Sequence, residues 1–392
     1  MTEQILSGSW NYPSPIRFGA GRLQELPDAC RELGMEKPLL VTDPGLAPLS
    51  VVTHALTHCR EAGLDCGLFS EVQSNPVGAN VVAGVEVLRS GGHDGVIAMG
   101  GGSALDAGKA VALMIGQTRP IWDFEDRADW YTRVSPAGMV PVVAVPTTSG
   151  TGSEVGRASV ITDESDHTKK IIFHPDMMPG RVILDPEVTV GLPAPLTAAV
   201  GMDALSHCLE AYCSPVYHPM AHGIALEGMR LIHEWLEGAC AHGDDLDARA
   251  HMQVASSMGA TAFQKGLGAM HALSHPCGAV LDTHHGLTNA VVMPYVLMFN
   301  RDTIGDKAAR LARYLGLADS SLDGVMDWVL GLRERIGIPH QLSALGVKST
   351  HIEQLAPMAV VDPSGGTNPV PLTLETTSML YEDSIEGRLG TG

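Results

Sequence analysis

The sequence predicts an α/β domain with a mostly parallel sheet, followed by an all-helical domain. Short apolar segments alternate with segments of helical spacing in the N-terminal half, which is typical of β-α-β units. Helical spacing dominates the C-terminal half, where strand signals nearly vanish. The chain has 392 residues, 45% of them hydrophobic and 18% charged, which suits two compact domains. We place the α/β domain in residues 1–190 and the helical domain in residues 191–392.

The first domain is predicted to contain four strands and three helices. Each apolar segment ends at a turn rich in glycine, proline or hydroxyl residues, after which the chain continues in another pattern. We expect Val81, Val82, Val85 and Leu88 to share the buried face of the second helix. The predicted strands are 38–42, a segment from Leu68 to about Pro76, 94–99 and 140–145, and the predicted helices are 46–63, 79–90 and 103–115.

The second domain is predicted to begin after a junction near residues 188–194. Apolar residues there recur with the spacing of one helix face. The predicted helices are 195–213, 219–238, 246–264, 267–276, 303–315, 321–336 and 349–358.

Charge and cysteine usage exclude several classes of function. The net charge of −19 argues against nucleic acid or an anionic membrane as a partner, because both require a basic face. The seven cysteines are scattered and form no C-x-x-C pair, which indicates neither a disulfide framework nor a thiolate zinc site. The chain has neither a signal-peptide pattern nor an apolar run long enough to span a bilayer. We therefore expect a cytoplasmic protein with a small-molecule substrate.

Two loops in the first domain are candidates for binding phosphate groups. Gly100–Ser103 follows a predicted strand and precedes a helix, so its backbone can approach an anion at the helix N-terminus, and Ser103 can cap that helix. The run matches neither G-x-G-x-x-G nor a Walker loop, and a tight turn explains it about equally well. The hydroxyl-rich segment 147–153 follows another strand. Two such loops at one sheet edge favour a cradle for a phosphate-bearing cofactor over an ordinary turn.

Asp43 ends the first predicted strand. A carboxylate in this position can accept hydrogen bonds from an adenosine ribose and repels a 2′-phosphate, which favours NAD over NADP. The alternative is that Asp43 only forms the turn with Pro44. Taken alone, the turn explains Asp43 better.

Acidic and histidine side chains in the second domain indicate a metal site. Asp203 and His207 are four residues apart, as are His271 and His275, so each pair shares a helix face. The adjacent His284 and His285 follow within the same segment. One carboxylate and three imidazoles suit a borderline divalent ion such as Fe(II) or Zn(II) rather than Ca²⁺. We expect one metal site built from two helices and a loop.

These motifs together resemble the iron-containing (group III) alcohol dehydrogenase family, which is related in fold to glycerol dehydrogenase and dehydroquinate synthase. The resemblance extends essentially from end to end, and the two metal motifs with their spacing are its most specific part. The resemblance implies a Rossmann-like dinucleotide-binding domain and an all-α metal-binding domain in a dehydroquinate synthase-like fold. The matching segments are Asn75-Pro76, Gly100–Lys109, Pro146–Glu154, Gly201–His207, His271–His285 and Thr367–Pro369.

The resemblance also assigns roles to individual residues. It implies metal ligands at Asp203, His207, His271 and His285, since the family pattern of histidine directly before glycine selects His285 over His284. It implies that His275 lies beside the nicotinamide and substrate rather than on the metal. The residues expected around the dinucleotide are Asp43, Asn75, Gly101, Gly102, Ser103, Asp106, Thr147, Thr148, Thr151 and Lys169.

The function implied is hydride transfer between NAD(H) and a small primary alcohol or diol, catalysed by an alcohol dehydrogenase or aldehyde reductase. A divalent ion, with Fe(II) favoured and Zn(II) as the alternative, would act as a Lewis acid on the substrate oxygen. His275 would relay the released proton. The active site is expected in the cleft between the domains, and a homodimer or higher homo-oligomer is expected.

The sequence leaves other functions open. Maleylacetate reductase and hydroxyacid–oxoacid transhydrogenase belong to the same fold. A dehydroquinate-synthase-type lyase would need several basic residues around a phosphorylated substrate, whereas the metal-bearing segments are poor in lysine and arginine. A non-catalytic metal- or nucleotide-binding protein is the alternative from a different class. The hydroxyl-rich loop and His275 argue against that alternative.

Overall fold

The computed structural model describes residues 14–166 and 168–390. Within this part, the chain forms two compact units. One contains residues 14–192 together with Asp244–Gln253, and the other contains Pro193–Gly243 and residues 254–390. The linear boundary predicted after residue 190 stays a prediction.

A parallel sheet forms the centre of the first unit, as predicted. Its six strands in the described chain are arranged in the order β1-β8-β5-β4-β2-β3, and every neighbouring pair is parallel. A separate antiparallel hairpin pairs β6 with β7. The elements are β1 (Ile16–Phe18), α1 (Leu26–Glu32), β2 (Pro38–Val41), α2 (Ser50–Glu61), β3 (Gly67–Phe69), α3 (Gly78–Ser90), β4 (Gly95–Gly100), α4 (Gly102–Met114), β5 (Val142–Pro146), β6 (Ala158–Asp163), β7 (Thr168–Phe173) and β8 (Arg181–Leu184).

Alternate residues of each central strand enter different cores. Val96 and Ala98 of β4 pack with α3 and α4 on one face of the sheet, whereas Ile97 and Met99 pack with α1 and α2 on the other. All residues of β2, β4 and β5 are buried, as expected for parallel strands covered on both faces. Because the strands are parallel, the loops after β2, β3, β4 and β5 lie at the same edge of the sheet.

Several features of the first unit differ from the predictions. Helix α1, strands β1 and β8 and the hairpin β6–β7 were not predicted. Strands β1 and β8 are short, with three and four residues, and therefore carry little periodicity. Val82 was predicted to be buried but is 70% exposed, because it lies about 100° around the helix from Val81, which is buried.

The described helices that follow β8 pack mainly against one another. The predicted all-helical character of the C-terminal half is confirmed. Helix α5 is the most completely buried, since every residue from Thr197 to Cys213 is buried. None of the described helices is long and apolar enough to cross a membrane. The helices are α5 (Ala194–Cys213), α6 (Pro219–Ala241), α7 (Leu246–Ala262), α8 (Ala269–Leu281), α9 (His285–Phe299), α10 (Arg301–Leu315), α11 (Leu322–Arg335), α12 (Ile352–Val361) and α13 (Leu374–Glu386).

Helices α9 and α13 were missed by the sequence analysis. Residues 286 and 288–297 of α9 are all buried, so its apolar residues surround the helix and produce no one-sided period. Helix α8 extends five residues beyond the predicted end, because Pro276 lies inside it without ending it. His285 is the first residue of α9. The expectation that a loop supplies this residue is therefore wrong.

Candidate metal centre and cofactor loops

Helix α5 presents Asp203 and His207 on one buried face. The two residues are one turn apart, and they are 1% and 4% exposed. The donor atoms of Asp203, His207 and His271 all lie within 4.8 Å of one another. The rings of His207 and His271 are stacked, with 4.8 Å between their centroids. Three of the four candidate ligands therefore form a compact buried cluster.

His285 completes the predicted set from the start of α9. Its Nε2 lies 3.6 Å from Asp203 Oδ1, and its ring centroid is 5.2 Å from that of His271. This approach requires Gly286, where a Cβ atom would come within 2.6 Å of the Ala199 carbonyl oxygen and 2.9 Å of Asp203 Cβ. The glycine after His285 thus lets α9 contact α5 closely beside Asp203.

Asn289 marks the point on which three of these side chains converge. Its Nδ2 lies 2.9 Å from Asp203 Oδ1, 3.2 Å from His271 Nε2 and 3.1 Å from His285 Nε2. An amide NH₂ group only donates, so it contacts the acceptor side of each partner. Asn289 was not among the predicted site residues, although it follows His285 by one helical turn. That i,i+4 spacing was the available signal.

Two further side chains hold the rings of His271 and His285. Glu210 lies 2.6 Å from His271 Nδ1, and the Ser274 hydroxyl lies 2.9 Å from His285 Nδ1. Burial lowers the pKa of His271, but the Glu210 carboxylate, helped by Asp203 and Asp362, outweighs burial and raises it above its usual value. In both rings, Nδ1 is engaged by a polar partner while Nε2 faces the cluster.

His275 has different surroundings from the candidate ligands. Its Nδ1 lies 2.9 Å from Asp362 Oδ2, and its ring stacks on that of His285 with centroids 5.2 Å apart and planes 13° apart. Burial raises the pKa of Asp362, but His275 and the Ser364 backbone N–H oppose burial and hold it below its usual range. Asp362 is 87 residues from His275, and no local pattern in the sequence connects the two.

The other histidines of interest have local structural roles. His284 Nδ1 accepts from the Leu287 backbone N–H and caps α9, and His218 Nδ1 caps α6 by accepting from Ala221. His222 Nε2 lies 2.5 Å from Lys265 Nζ. His218 and His222 are also four residues apart, but their contacts are structural and lie outside the cluster of candidate ligands.

The donor set fits a borderline divalent ion. One carboxylate and three imidazoles are brought together, and the Nε2 atoms of His271 and His285 point toward the shared centre. Such an N₃O set accepts Fe(II), Zn(II) or related ions. Asp203, His207, His271 and His285 are thus the residues that could hold a metal.

The cofactor candidates of the first unit lie at the carboxyl edge of its sheet. Gly101 precedes α4, whose first turn has no side-chain cap, so its N–H groups can bind an anion. The hydroxyl-rich loop packs directly on the glycines, because a Cβ on Gly102 would come within 2.5 Å of Thr151 Cγ2 and one on Gly101 within 3.4 Å of Thr148. Thr147 is joined to Gly100 by a backbone hydrogen bond of 2.9 Å. The two predicted loops therefore meet.

Asn75 and Lys169 also approach each other in this unit. Lys169 Nζ donates to Asn75 Oδ1 over 2.9 Å, although the two residues are 94 positions apart. The Ser103 hydroxyl donates to the Ser74 carbonyl oxygen, next to Asn75. The hairpin β6–β7, which was not predicted, is the element that brings Lys169 here.

Asp43 and Asp106 accept hydrogen bonds from nearby loops. Asp43 Oδ1 accepts from the backbone N–H groups of Gly45 and Leu46, each over 2.9 Å. Asp43 therefore stabilises the turn that follows β2. Asp106 accepts from Ser153 Oγ at 2.5 Å and from the Val160 N–H at 2.9 Å. Asp106 thereby positions the hydroxyl-rich loop. Its direct contact with a dinucleotide stays a prediction.

Lys109 supports the same loop from inside the protein. Its side chain is 1% exposed, and Nζ donates to the Ser153 carbonyl at 3.0 Å and to that of Gly156 at 3.4 Å. Burial lowers the pKa of Lys109, against the opposing effect of Asp106. A lysine among carbonyl oxygens holds the loop that follows β5 against α4.

Known proteins resemble this chain over nearly its full length. Residues 13–186 match the family "Iron-containing alcohol dehydrogenase", and residues 197–385 match "Fe-containing alcohol dehydrogenase family, C-terminal". The 4-hydroxybutyrate dehydrogenase of Cupriavidus necator is 38% identical over 95% of this chain and 99% of its own. The NAD-dependent methanol dehydrogenase of Bacillus methanolicus is 35% identical over 95% and 98%.

A solved structure is also similar to this chain. A 1,3-propanediol oxidoreductase superimposes with a TM-score of 0.92 and 33% identity, covering 97% of this chain and 100% of its own. The sequence match and the structural match span both units. The chain therefore belongs to the iron-containing alcohol dehydrogenase family.

Proposed function

We propose that this alcohol oxidoreductase transfers hydride between NAD(H) and a small primary alcohol or diol, or the corresponding aldehyde, with a divalent metal ion. The observation that carries the proposal is the convergence of Asp203, His207, His271 and His285 in a member of this family. These four side chains would hold the ion. When bound, the ion supplies Lewis acidity toward a substrate oxygen.

His275 is proposed to carry the proton of the reaction. Its Nδ1 is held by Asp362, which leaves Nε2 as the atom able to take a proton from a hydroxyl group or return one to a carbonyl. Asp362 keeps the ring in one orientation and favours the imidazolium that forms. The stacking on His285 keeps His275 next to the candidate ligands without making it one.

The dinucleotide is proposed to bind at the carboxyl edge of the sheet. Gly101, Gly102 and Ser103 offer the N-terminus of α4 to the phosphates, and Thr147, Thr148 and Thr151 add hydroxyl groups. Asn75, Lys169, Asp43 and Asp106 complete the proposed contacts. The cofactor carries the hydride, so these residues bind and orient it.

The relatives support a small primary alcohol as the substrate class. By name, they act on 4-hydroxybutyrate and methanol, and the solved structure is named for 1,3-propanediol. Each of these compounds carries a terminal hydroxyl group. Iron(II) is the proposed ion, because the family is described as iron-containing, and zinc(II) suits the same donors.

The proposal is tested by following NADH absorbance with a panel of short aldehydes. Protein loaded anaerobically with Fe(II) or Zn(II) is expected to consume NADH with at least one aldehyde, and to form NADH from NAD with the matching alcohol. Metal-stripped protein is the control and is expected to be inactive. Absence of consumption with every aldehyde and both metals would favour the non-catalytic binding protein instead.

Assembly and location are part of the proposal. We propose a homodimer or higher homo-oligomer, which light scattering on the purified protein tests, and a monomer would contradict it. We propose a cytoplasmic location because all seven cysteines are free, as is usual in a reducing compartment. Cell fractionation with an antibody to the protein tests this assignment.

A further inference from the structure

Glu210 is a buried carboxylate next to the candidate metal ligands. Its Oε2 accepts from His271 Nδ1 at 2.6 Å, and its Oε1 accepts from the Met270 backbone N–H at 2.6 Å. The side chains of Glu210 and His271 are 3% and 2% exposed. Both carboxylate oxygens thus bind donors inside the protein, where hydrogen bonds to a charged group are strong.

These contacts determine which nitrogen of His271 carries the proton. An ionised carboxylate only accepts, so the hydrogen between Glu210 and His271 lies on Nδ1. A neutral imidazole has one N–H, and Nε2 therefore keeps its lone pair. It is Nε2 that lies 3.2 Å from Asn289 Nδ2, at the point on which Asp203 and His285 also converge. Glu210 thus turns the metal-binding atom of His271 toward the centre.

Glu210 lies on α5, the helix that also carries the candidate ligands Asp203 and His207. Asp203, His207 and Glu210 are spaced at i, i+4 and i+7, which places all three on one helix face. One helix consequently supplies two candidate ligands and the residue that orients a third. A change in the position of α5 would move all three together.

Glu210 also fixes the helix that carries His271. Met270 is the second residue of α8, so its backbone N–H has no acceptor within the helix and donates to Glu210 instead. The preceding N–H of Ala269 donates to Asn368 Oδ1 at 3.1 Å. A negative charge at a helix N-terminus is favourable, so Glu210 stabilises both the ring and the helix start.

We propose that Glu210 is a positioning residue that sets the tautomer and orientation of His271 and thereby raises the affinity of the site for a divalent ion. Glu210 contacts the ring on the side opposite the candidate site and is not itself a ligand. The inference rests on the proposed function, because it assumes that His271 is a metal ligand. Outer carboxylates that hold a ligating histidine contribute about 10- to 100-fold to metal affinity.

The first test is the affinity for Zn²⁺, measured by competition with a fluorescent chelator. In Glu210→Gln, one of the two donors must face an NH₂ group, and we expect the dissociation constant to rise about 10- to 100-fold. Glu227→Gln is the matched control, since Glu227 pairs with Arg230 on the surface of α6. An unchanged constant in Glu210→Gln would overturn the inference.

The second test needs no variant at Glu210 and remains valid if that variant fails to fold. Nitrogen NMR of the histidine side chains in the unmodified, metal-free protein, recorded at a pH high enough to leave His271 uncharged, should show this ring as the Nδ1–H form, with the signal assigned through His271→Gln. An Nε2–H form would overturn the inference. Failure of the underlying metal site is distinguishable, because Asp203→Ala would then leave Zn²⁺ binding unchanged as well.

Discussion

Asp43 is the residue on which the preference between the two nicotinamide dinucleotides is expected to depend. Its Oδ1 binds the N–H groups of Gly45 and Leu46, and the residue is partly exposed at the carboxyl edge of the sheet. The two explanations weighed from the sequence are therefore compatible. One oxygen forms the turn, while the negative charge of the carboxylate remains available to repel a 2′-phosphate.

Asp43→Asn separates these two roles. Asparagine retains an oxygen that can accept from Gly45 and Leu46 but has no charge, so the turn should persist while the repulsion disappears. We expect the ratio of kcat/KM for NADPH to that for NADH to rise about tenfold, which corresponds to about 1.4 kcal/mol. Steady-state kinetics with both cofactors measure the ratio. An unchanged ratio would show that Asp43 only forms the turn.

The residues that the sequence analysis missed fall into two groups. Glu210 and Asn289 follow Asp203 and His285 at helical spacing, so a search of the same helix face would have found them. Ser274 likewise follows His271 by three residues on α8, whereas Asp362 could not be found this way. Asp362 is 87 residues from His275, and only the packing of α8 beside the segment that follows α12 brings the two together.

At the scale of helices, Gly286 controls the contact between α5 and α9. A Cβ there would lie 2.6 Å from the Ala199 carbonyl oxygen, which belongs to the backbone of α5 and cannot move aside alone. We expect Gly286→Ala to lower the free energy of unfolding by about 1–3 kcal/mol. It should also weaken Zn²⁺ binding, because His285 moves away from Asp203.

Gly305→Ala provides the matched control for this prediction. Gly305 is exposed on α10, and a Cβ there has nothing within 4 Å. Alanine in such a helix position should stabilise the protein by about 0.5–1 kcal/mol. Urea unfolding of both variants gives the comparison. Equal stability of Gly286→Ala and the unmodified protein would contradict the close contact.

The C-terminus of α5 predicts a pH dependence of stability. Lys265 Nζ donates to the carbonyl oxygens of Ala211 and Ser214 at 2.8 and 2.7 Å, and it lies 2.5 Å from His222 Nε2. Burial, together with the ammonium groups of Lys265 and Lys307, lowers the pKa of His222 from 6.5 to about 4. A protonated His222 would place a second positive charge beside Lys265.

The free energy of unfolding depends on pH because the folded and unfolded states bind different numbers of protons at His222. Between pH 6.5 and pH 4 the unfolded chain binds a proton at His222 and the folded protein does not, so stability falls as the pH falls. We expect the unmodified protein to lose about 1–3 kcal/mol more than His222→Gln over this range, measured by urea unfolding of metal-free protein. His54→Gln, at an exposed position, is the control. Parallel losses in both proteins would refute the assignment.

The elements that the sequence predicted well are those with strong periodicity or a clear end. The central strands β2, β4 and β5 were located to within two residues at each end, because each is a buried apolar run that stops at a turn. The fully buried α9 gave no one-sided pattern, and β1 is only three residues long. Their formation depends on neighbours that are distant in sequence.

At the scale of the whole molecule, the two kinds of candidate site belong to different units. The cofactor candidates, between residues 43 and 169, belong to the first unit, and the four metal candidates, Asp203, His207, His271 and His285, belong to the second. Every candidate ligand is thus held by helices of its own unit. This arrangement predicts that loss of the metal site leaves dinucleotide binding largely intact.

The most direct measurement compares metal content, NADH binding and aldehyde reduction in the unmodified protein, Asp203→Ala and His271→Ala, all prepared anaerobically with Fe(II). Removing either ligand should abolish both metal retention and turnover, because the remaining donors cannot hold the ion. The NADH dissociation constant, from fluorescence titration, should change by less than about threefold, which is less than about 0.7 kcal/mol. Full turnover by a metal-free variant in the presence of a chelator would contradict the metal-dependent mechanism.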